Sequence, residues 1–425
     1  MYLGAMYAGL VAVPVEERLL AASAAMLVKA TAAKAIWTEG GLRGGENLKA
    51  SVLCLQGDFA RDTSRSIPPA ERAASDLAAL MATSGSTGVP RFVMVSHGNL
   101  LANTEAIIRS QNLGRRETVM MVLPVSYCFG ASLLHTHLYE GGSVVFDRRF
   151  MFPDKVLQAI AQYGCTTFAG VPTVYNVLLR RSNIRRIEMP SLRRFLQAGG
   201  ALASQKIDEM RGIFPETPFY VMYGQTEATA RVACMEPERW DEKHGSVGRP
   251  LDNLKIAISD ERGNDLPAGQ IGELRVKGPS VCAGYSNDPE ATLRVFGEGW
   301  LRTGDLARQD DEGYLWIQGR QSAFLKMRGM RVSFAEVEQR VASIPGVYEC
   351  AALATDHADA GEALVLYVVP DAGKRIEPKD LRRHLPAHWA LDSIHLISEL
   401  PKNGAGKIDR RSLPSWSKES RGTIG

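Results

Sequence analysis

The chain has 425 residues, more than one compact core holds, so two or more domains are expected. Its 45% apolar and 23% charged residues are those of an ordinary globular protein, and a formal net charge of +3 gives bulk charge no role in holding nucleic acid or membrane. No stretch reaches the roughly 18 uncharged apolar residues that a membrane span needs. The cysteines Cys54, Cys128, Cys165, Cys234, Cys282 and Cys350 form no CxxC pair and no zinc spacing with histidine, which fits a reducing, cytoplasmic setting.

The N-terminus, MYLGAMYAGLVAVPVEE, has no Lys or Arg before its apolar part, which argues against a secretory signal. It reads as a helix from Met1 to Leu10 running into a buried strand from Val11 to Val15. From about Leu77 to Met222, β-rich runs (LAALMAT, TVMMVLP, SVVFD, TTFAGVP, RRFLQA, PFYVMY) alternate with helical ones (Gly98 to Ser110, Ser132 to Tyr139, and after Pro153 and Thr173). Such alternation predicts a mainly parallel sheet covered by helices. Between Ser246 and Trp316, short strands separated by turn signals predict a small antiparallel β unit. Beyond Gly319 the pattern is α+β: helices over Phe334 to Ile344 and Pro378 to Leu385, strands over Glu349 to Ala354, Ala363 to Val369 and Ser393 to Ile397. The tail from Ser415 is polar. The arginine pairs Arg180-Arg181, Arg185-Arg186 and Arg193-Arg194 read as a solvated face. His135 and His137, at i, i+2 on a helix, point apart and make a poor metal pair.

Thr83-Ser84-Gly85-Ser86-Thr87-Gly88-Val89-Pro90-Arg91 is the strongest local signal. Placed after a strand and before a helix, its hydroxyls and backbone N–H groups can converge on phosphate oxygens. It is neither GxxxxGK[ST] nor GxGxxG. Taken alone it reads equally as a plain turn.

This loop resembles the phosphate loop of the adenylate-forming superfamily: acyl- and aryl-CoA synthetases, luciferases and the adenylation domains of peptide synthetases. Further segments follow in that family's order: Tyr223-Gly-Gln-Thr-Glu227, Gly245 to Pro250, Gly272 to Gly278, Trp300 to Leu306, Gly319-Arg320, Lys326 to Arg331 with Glu336-Val-Glu338, and Pro401 to Arg410. The resemblance spans essentially residues 1 to 413. It implies an α/β fold: a large domain, residues 1–320, of mainly parallel sheets flanked by helices plus a small β-barrel-like unit, then a small mobile α+β lid, residues 321–425.

The implied activity is ATP-dependent activation of a carboxylic acid to acyl-AMP, then transfer to the thiol of CoA or of a carrier protein's phosphopantetheine. ATP and Mg²⁺ are the implied cofactors, and a homodimer is admitted. Thr83 to Gly88 would hold the departing phosphates, Thr226 would reach a phosphate oxygen, and Glu227 would offer Mg²⁺ a hard oxygen. Tyr223-Gly224 and Gly199-Gly200-Ala201 would wall the adenine. Asp305 and Arg320 would take the ribose. Lys407 would bridge the substrate carboxylate and the α-phosphate, a role that suits a compact charge on a long stem. Ser322 marks the hinge and Gly329 the thiol channel. Taken singly, Tyr223 reads as a core aromatic, Asp305 as a turn residue and Lys407 as a surface lysine.

Leu123 to Gly130 resembles the family's pocket entry. Tyr127 stands as an aromatic gate, with Cys128, Phe129, Val171, Gly199 and Met222 as pocket walls. Cys128 cannot pair an ammonium, and an unpaired buried ammonium is costly, so an apolar acyl or aryl acid is favoured over an α-amino acid. The N-terminus begins later than is usual for the family, Asn403 replaces a common Thr or Ser, and Leu385-Pro-Ala-His-Trp-Ala-Leu departs from the usual pattern. The alternative is a nucleotide-binding pseudoenzyme or regulatory partner with the same fold and no turnover.

Overall fold

The computed structural model describes residues 1–38, 53–56, 68–83, 90–320, 324–327, 330–357, 361–402, 408–410 and 412–414. Helices α1 (Tyr2–Tyr7) and α2 (Glu17–Thr31) precede a parallel pair, β1 (Ala35–Thr38) and β2 (Leu53–Gln56). The strand expected over Val11 to Val15 shrinks to one parallel bridge, Ala12 to Ala79, since Pro14 has no N–H to extend a ladder.

Strands β3 (Leu77–Thr83) and β4 (Arg91–Ser96) pair antiparallel, with Thr83 opposite Arg91. The Gly/Ser/Thr segment, expected to run from strand to helix, therefore joins two strands of a hairpin. RFVMVS supplies the β-branched and aromatic residues that favour the second strand. Helix α3 (His97–Gln111) then starts on a capping box: Asn99 N–H donates to Ser96 Oγ (3.1 Å), and Ser96 N–H donates to Asn99 Oδ1 (3.0 Å).

The main sheet follows in βα order. Its elements are β5 (Thr118–Met121), α4 (Cys128–Tyr139), β6 (Ser143–Phe146), α5 (Pro153–Gln162), β7 (Thr167–Gly170), α6 (Pro172–Arg181), β8 (Arg194–Gln197), α7 (Ser204–Ile213) and β9 (Phe219–Tyr223). Two short strands, β10 (Ala233–Cys234) and β11 (Arg249–Pro250), extend it antiparallel. The seven strands lie in the order β11-β10-β9-β8-β7-β5-β6, with β5 to β9 parallel. Their inward residues, among them Met120, Phe168, Phe195 and Phe219, form the largest apolar core. The helix α7 is absent from the sequence expectation, because its apolar positions are few and charges interrupt them.

Next come β12 (Lys255–Ser259), β13 (Gly272–Lys277), α8 (Pro289–Phe296), β14 (Leu301–Gln309) and β15 (Leu315–Arg320), whose strands make a four-stranded antiparallel sheet. The last sheet is built from β16 (Phe324–Met327), β17 (Met330–Ser333), β18 (Val347–His357), β19 (Gly361–Pro370) and β20 (Leu391–Leu396), with α9 (Phe334–Ala342) and α10 (Pro378–His384) against it. Its buried cluster draws only on residues from Leu325 onward. It meets the main body at α6 and α7. Lys206 Nζ donates to Tyr348 O (2.6 Å), and Arg180 Nε pairs with Asp371 Oδ1 (3.3 Å).

The arginine pairs are not one solvated face. Arg194 is 7% exposed and its guanidinium bonds Glu117 Oε1 at 3.1 Å, and Arg185 pairs with Glu209. Charges at i and i+1 point to different surroundings once β8 is placed inside the sheet, so a run in sequence is not a patch in space. No helix among the described residues is long and apolar enough to cross a membrane.

Candidate active site

The carboxyl ends of β5, β7, β8 and β9 converge, which is where an open α/β sheet leaves a crevice for ligands. Each strand hands the chain to a constrained turn. After β7, Val171 is extended and Pro172 opens α6 at its first turn, as the residue before proline and proline at N1 require. After β8, Gly199 adopts φ +88°, a left-handed conformation that glycine takes freely. After β9, a Cβ on Gly224 would stand 1.8 Å from Ala230 O and 3.0 Å from Arg231 Cα, so the loop 224–232 folds back on the strand end only with glycine there.

This framework brings residues from distant parts of the chain together. Tyr223 O–H donates to Asp305 Oδ2 at 2.5 Å, and Arg320 Nε contacts Asp305 Oδ1 at 3.0 Å. Asp305 and Arg320 are direct cross-strand partners in β14 and β15, which fixes their pairing. Asp305 is 5% exposed, and its backbone N–H donates to Thr303 Oγ1 (3.1 Å). Burial, then the Asp305 carboxylate, push the Tyr223 phenol well above its ordinary range. The same carboxylate raises the Arg320 guanidinium. Gly200 O accepts from Gln197 Nε2 (2.8 Å), which pins the Gly199-Gly200-Ala201 turn beside the end of β9.

Thr226 and Glu227 follow in a short 3₁₀ turn. Glu227 Oε1 accepts from Tyr285 O–H at 2.8 Å, and Arg91 lies over the Tyr285 ring at 5.6 Å. Burial and the Glu227 carboxylate both raise the Tyr285 phenol. Among the described residues no three His, Cys, Asp or Glu side chains cluster as a metal cage. One partly buried carboxylate fits Mg²⁺ well, because this ion is commonly held by one or two carboxylates together with substrate phosphates.

At the start of α4, where the acyl pocket is expected, Tyr127 is the N-cap residue, and burial followed by nearby Glu16 raises its phenol. Thr226 O–H donates to Cys128 Sγ at 3.5 Å, joining the turn after β9 to the start of α4. Phe129 and Val171 are each 8% exposed. Met222 sits apart from Tyr223: adjacent strand residues point to opposite faces, and Met222 Sδ accepts from buried Gln111 Nε2 at 3.1 Å on the α3 side. Thr83 ends β3. Ser84, Gly85, Ser86, Thr87, Gly88, Ser322, Gly329 and Lys407 lie outside the described residues. His135 stacks on Tyr2 at 5.6 Å, whereas His137 Nδ1 contacts Leu133 O at 2.9 Å.

Two neighbours of the site escape the sequence reading. Tyr285 carries no local signal beyond Gly284-Tyr285. Arg231 does: it is a lone charge within the apolar run ATARVACM.

A family model described as AMP-binding enzyme matches residues 1–286, and one described as AMP-binding enzyme C-terminal domain matches residues 336–407. The chain belongs to the AMP-binding enzyme family. Its α/β fold is that of adenylate-forming enzymes. The AMP-binding chain is 33% identical over 358 residues to a long-chain-fatty-acid–CoA ligase of Escherichia coli, covering 82% of this chain and 63% of that protein. It is 34% identical to a feruloyl-CoA synthase of Amycolatopsis, covering 78% and 68%. An O-succinylbenzoate coenzyme A synthetase of Bacillus subtilis, solved with ATP and magnesium ion, superposes with a TM-score of 0.84 at 26% identity, covering 97% of this chain and 86% of that one. The chain thus spans about two thirds of the length of these two sequence relatives.

Proposed function

We propose that this chain is an AMP-forming acid–thiol ligase with CoA as acceptor. The observation that carries this reading is the joining of Tyr223, Asp305 and Arg320 at one end of the parallel sheet, with Glu227, on the turn after Tyr223, held by Tyr285 from the segment before α8. Those groups come from two sheets and the segments beside them and suit one nucleotide: a flat ring for adenine, a buried carboxylate for the ribose hydroxyls, and an oxygen donor toward the phosphates. A carrier protein's phosphopantetheine presents the same thiol. CoA is preferred because the relatives are named for it.

In the first step an oxygen of the acid's carboxylate forms a bond to the α-phosphorus. The bond from that phosphorus to the bridging oxygen breaks, and its electron pair leaves with pyrophosphate. The chain's task is to bring two anions together and hold them in line. Glu227 would hold Mg²⁺, which when bound neutralises phosphate charge. Thr83 to Gly88 would bind the departing phosphates through hydroxyl and backbone donors, and Lys407 would neutralise charge at the α-phosphorus. In the second step the thiol sulfur bonds the acyl carbon, AMP leaves with the C–O electron pair, and the thiol proton passes to solvent.

The separate buried cluster beyond Leu325 supports a boundary between residues 320 and 321. Rotation about the neighbourhood of Ser322 would withdraw Lys407 and bring Gly329 to the thiol's path. The acyl side, lined by Cys128, Phe129 and Val171, suits an acyl or aryl body and no ammonium.

The test is carboxylate-dependent ATP–pyrophosphate exchange over a broad acid panel. Thioester formation is then compared between CoA and phosphopantetheinylated carrier proteins. Exchange with at least one acid and a CoA thioester are expected. Nucleotide binding without exchange from any acid would leave the pseudoenzyme in its place.

A further inference from the structure

Arg231 is 2% exposed and is among the largest fully buried side chains. An arginine in that position normally faces a carboxylate, because a buried unpaired charge is expensive. Here, among the described residues, no acidic side chain forms an ion pair with it, and Nε has no hydrogen-bond partner. The bonds that fix the residue run through its backbone: its N–H donates to Asn103 Oδ1 (3.1 Å), and its carbonyl accepts from Asn103 Nδ2 (2.9 Å). The guanidinium lies over the Phe129 ring at 4.9 Å. Burial pulls its pKa down to about 10, and the nearest opposing titratable groups are the Cys234 and Cys128 thiols. Burial pushes the Cys234 thiol up to about 12, so it is neutral near pH 7 and is no counter-ion. A desolvated cation–π contact returns about 2 kcal/mol or somewhat more, still short of the cost of burying a bare cation.

The position of this cation says what it awaits. Its Cα packs against Gly224, immediately after Tyr223. Its side chain reaches Phe129, the neighbour of Cys128, which Thr226 touches. It therefore stands between the nucleotide loop and the start of α4, on the acyl side. We propose that Arg231 is a specificity-determining residue that pairs with a second anionic group on the acid substrate, so that the acid is a dicarboxylate or a comparable double anion with an acyl or aryl body. This rests on the ligase reading and narrows it. The first carboxylate goes to the α-phosphorus, the second replaces the partner that Arg231 lacks, and a planar guanidinium can receive it in bidentate fashion. An α-ammonium is excluded twice, by the absence of a carboxylate at Cys128 and by repulsion from Arg231.

The experiment compares aliphatic and aromatic diacids with their monomethyl esters, matched in length, in pyrophosphate exchange and in thermal stabilisation of the whole chain. It uses the wild type, Arg231→Met and Arg231→Lys. The wild type is expected to favour the best diacid over its ester on the order of 30-fold or more in kcat/KM, the scale of losing one partner of a buried charge pair. Arg231→Met erases that ratio while keeping turnover of esters, and Arg231→Lys restores part of it. Equal use of diacid and ester by the wild type, or an unchanged ratio in Arg231→Met, overturns the assignment and leaves the ligase standing. Arg231-dependent stabilisation by diacids without any exchange keeps the assignment and removes the ligase. Stabilisation by inorganic phosphate or sulfate equal to that by diacids makes this a simple anion site and also overturns it.

Discussion

The two sides of the cleft treat charge in opposite ways. On the side proposed for the nucleotide, Asp305 meets Arg320 and the Tyr223 hydroxyl, and Glu227 meets the Tyr285 hydroxyl. On the side proposed for the acyl group, Arg231 is deeper than any of these and, among the described residues, has a phenyl face and no carboxylate. A paired group can stand empty at little cost, but a ligand must then compete with its partner. An unpaired one costs stability until a ligand arrives and is rewarded in full when it does. Pairing therefore marks the half of the site that every substrate shares, and its absence marks the half that selects.

The largest effect should come from Lys407. Lys407→Ala is expected to cut adenylate formation on the order of 1000-fold, the upper scale for removing one group that stabilises transition-state charge. It should spare thioester formation from supplied acyl-adenylate. Single-turnover assays of each half-reaction decide it, and equal loss in both would deny that the lysine serves only one of them.

Asp305→Asn comes next, on the order of 100-fold in kcat/KM for ATP. It leaves Arg320 without its charge partner and removes a charged acceptor from the ribose position. The KM for the acid should stay put. A matching rise in that KM would mean the two sides are not separate. Tyr285→Phe is milder, roughly 3- to 10-fold for one lost hydrogen bond. It should show as a higher Mg²⁺ requirement, since Glu227 would lose the donor that orients it; an unchanged Mg²⁺ titration would detach Tyr285 from the metal.

The same contrast explains what could be read from sequence. The parallel sheet was legible from alternating β-rich and helical runs because burial on both faces leaves strands such as Thr167–Gly170 short, uncharged and buried throughout. Tyr223, Asp305 and Arg320 were legible only as motif members. Nothing local says that Asp305 and Arg320 meet, because the antiparallel pairing of β14 with β15 decides that. The hairpin β3–β4 was missed because a hydroxyl-and-glycine loop suits a strand-to-helix turn as well as a strand-to-strand one. Met222 was assigned to the acyl pocket beside Phe129 and Val171, and strand alternation turns its sulfur toward Gln111. Arg231 stands as an odd charge in an apolar run, but that no carboxylate faces it among the described residues is a fact of three dimensions.

The smallest expected effect tests the contrast most directly. In the ligand-free protein, Arg231→Met should raise stability by about 1 kcal/mol. The thioether keeps the volume and a favourable contact with Phe129 while the uncompensated charge goes. Tyr223→Phe, on the paired side, should lower stability by about 1 kcal/mol, because buried Asp305 loses a donor. Urea midpoints at unchanged slope measure both. Opposite signs are what an unpaired cation beside a paired carboxylate requires. A loss in both variants would mean that the Phe129 ring and the Asn103 clamp already compensate Arg231, and the two halves of the cleft would then differ in sequence but not in physics.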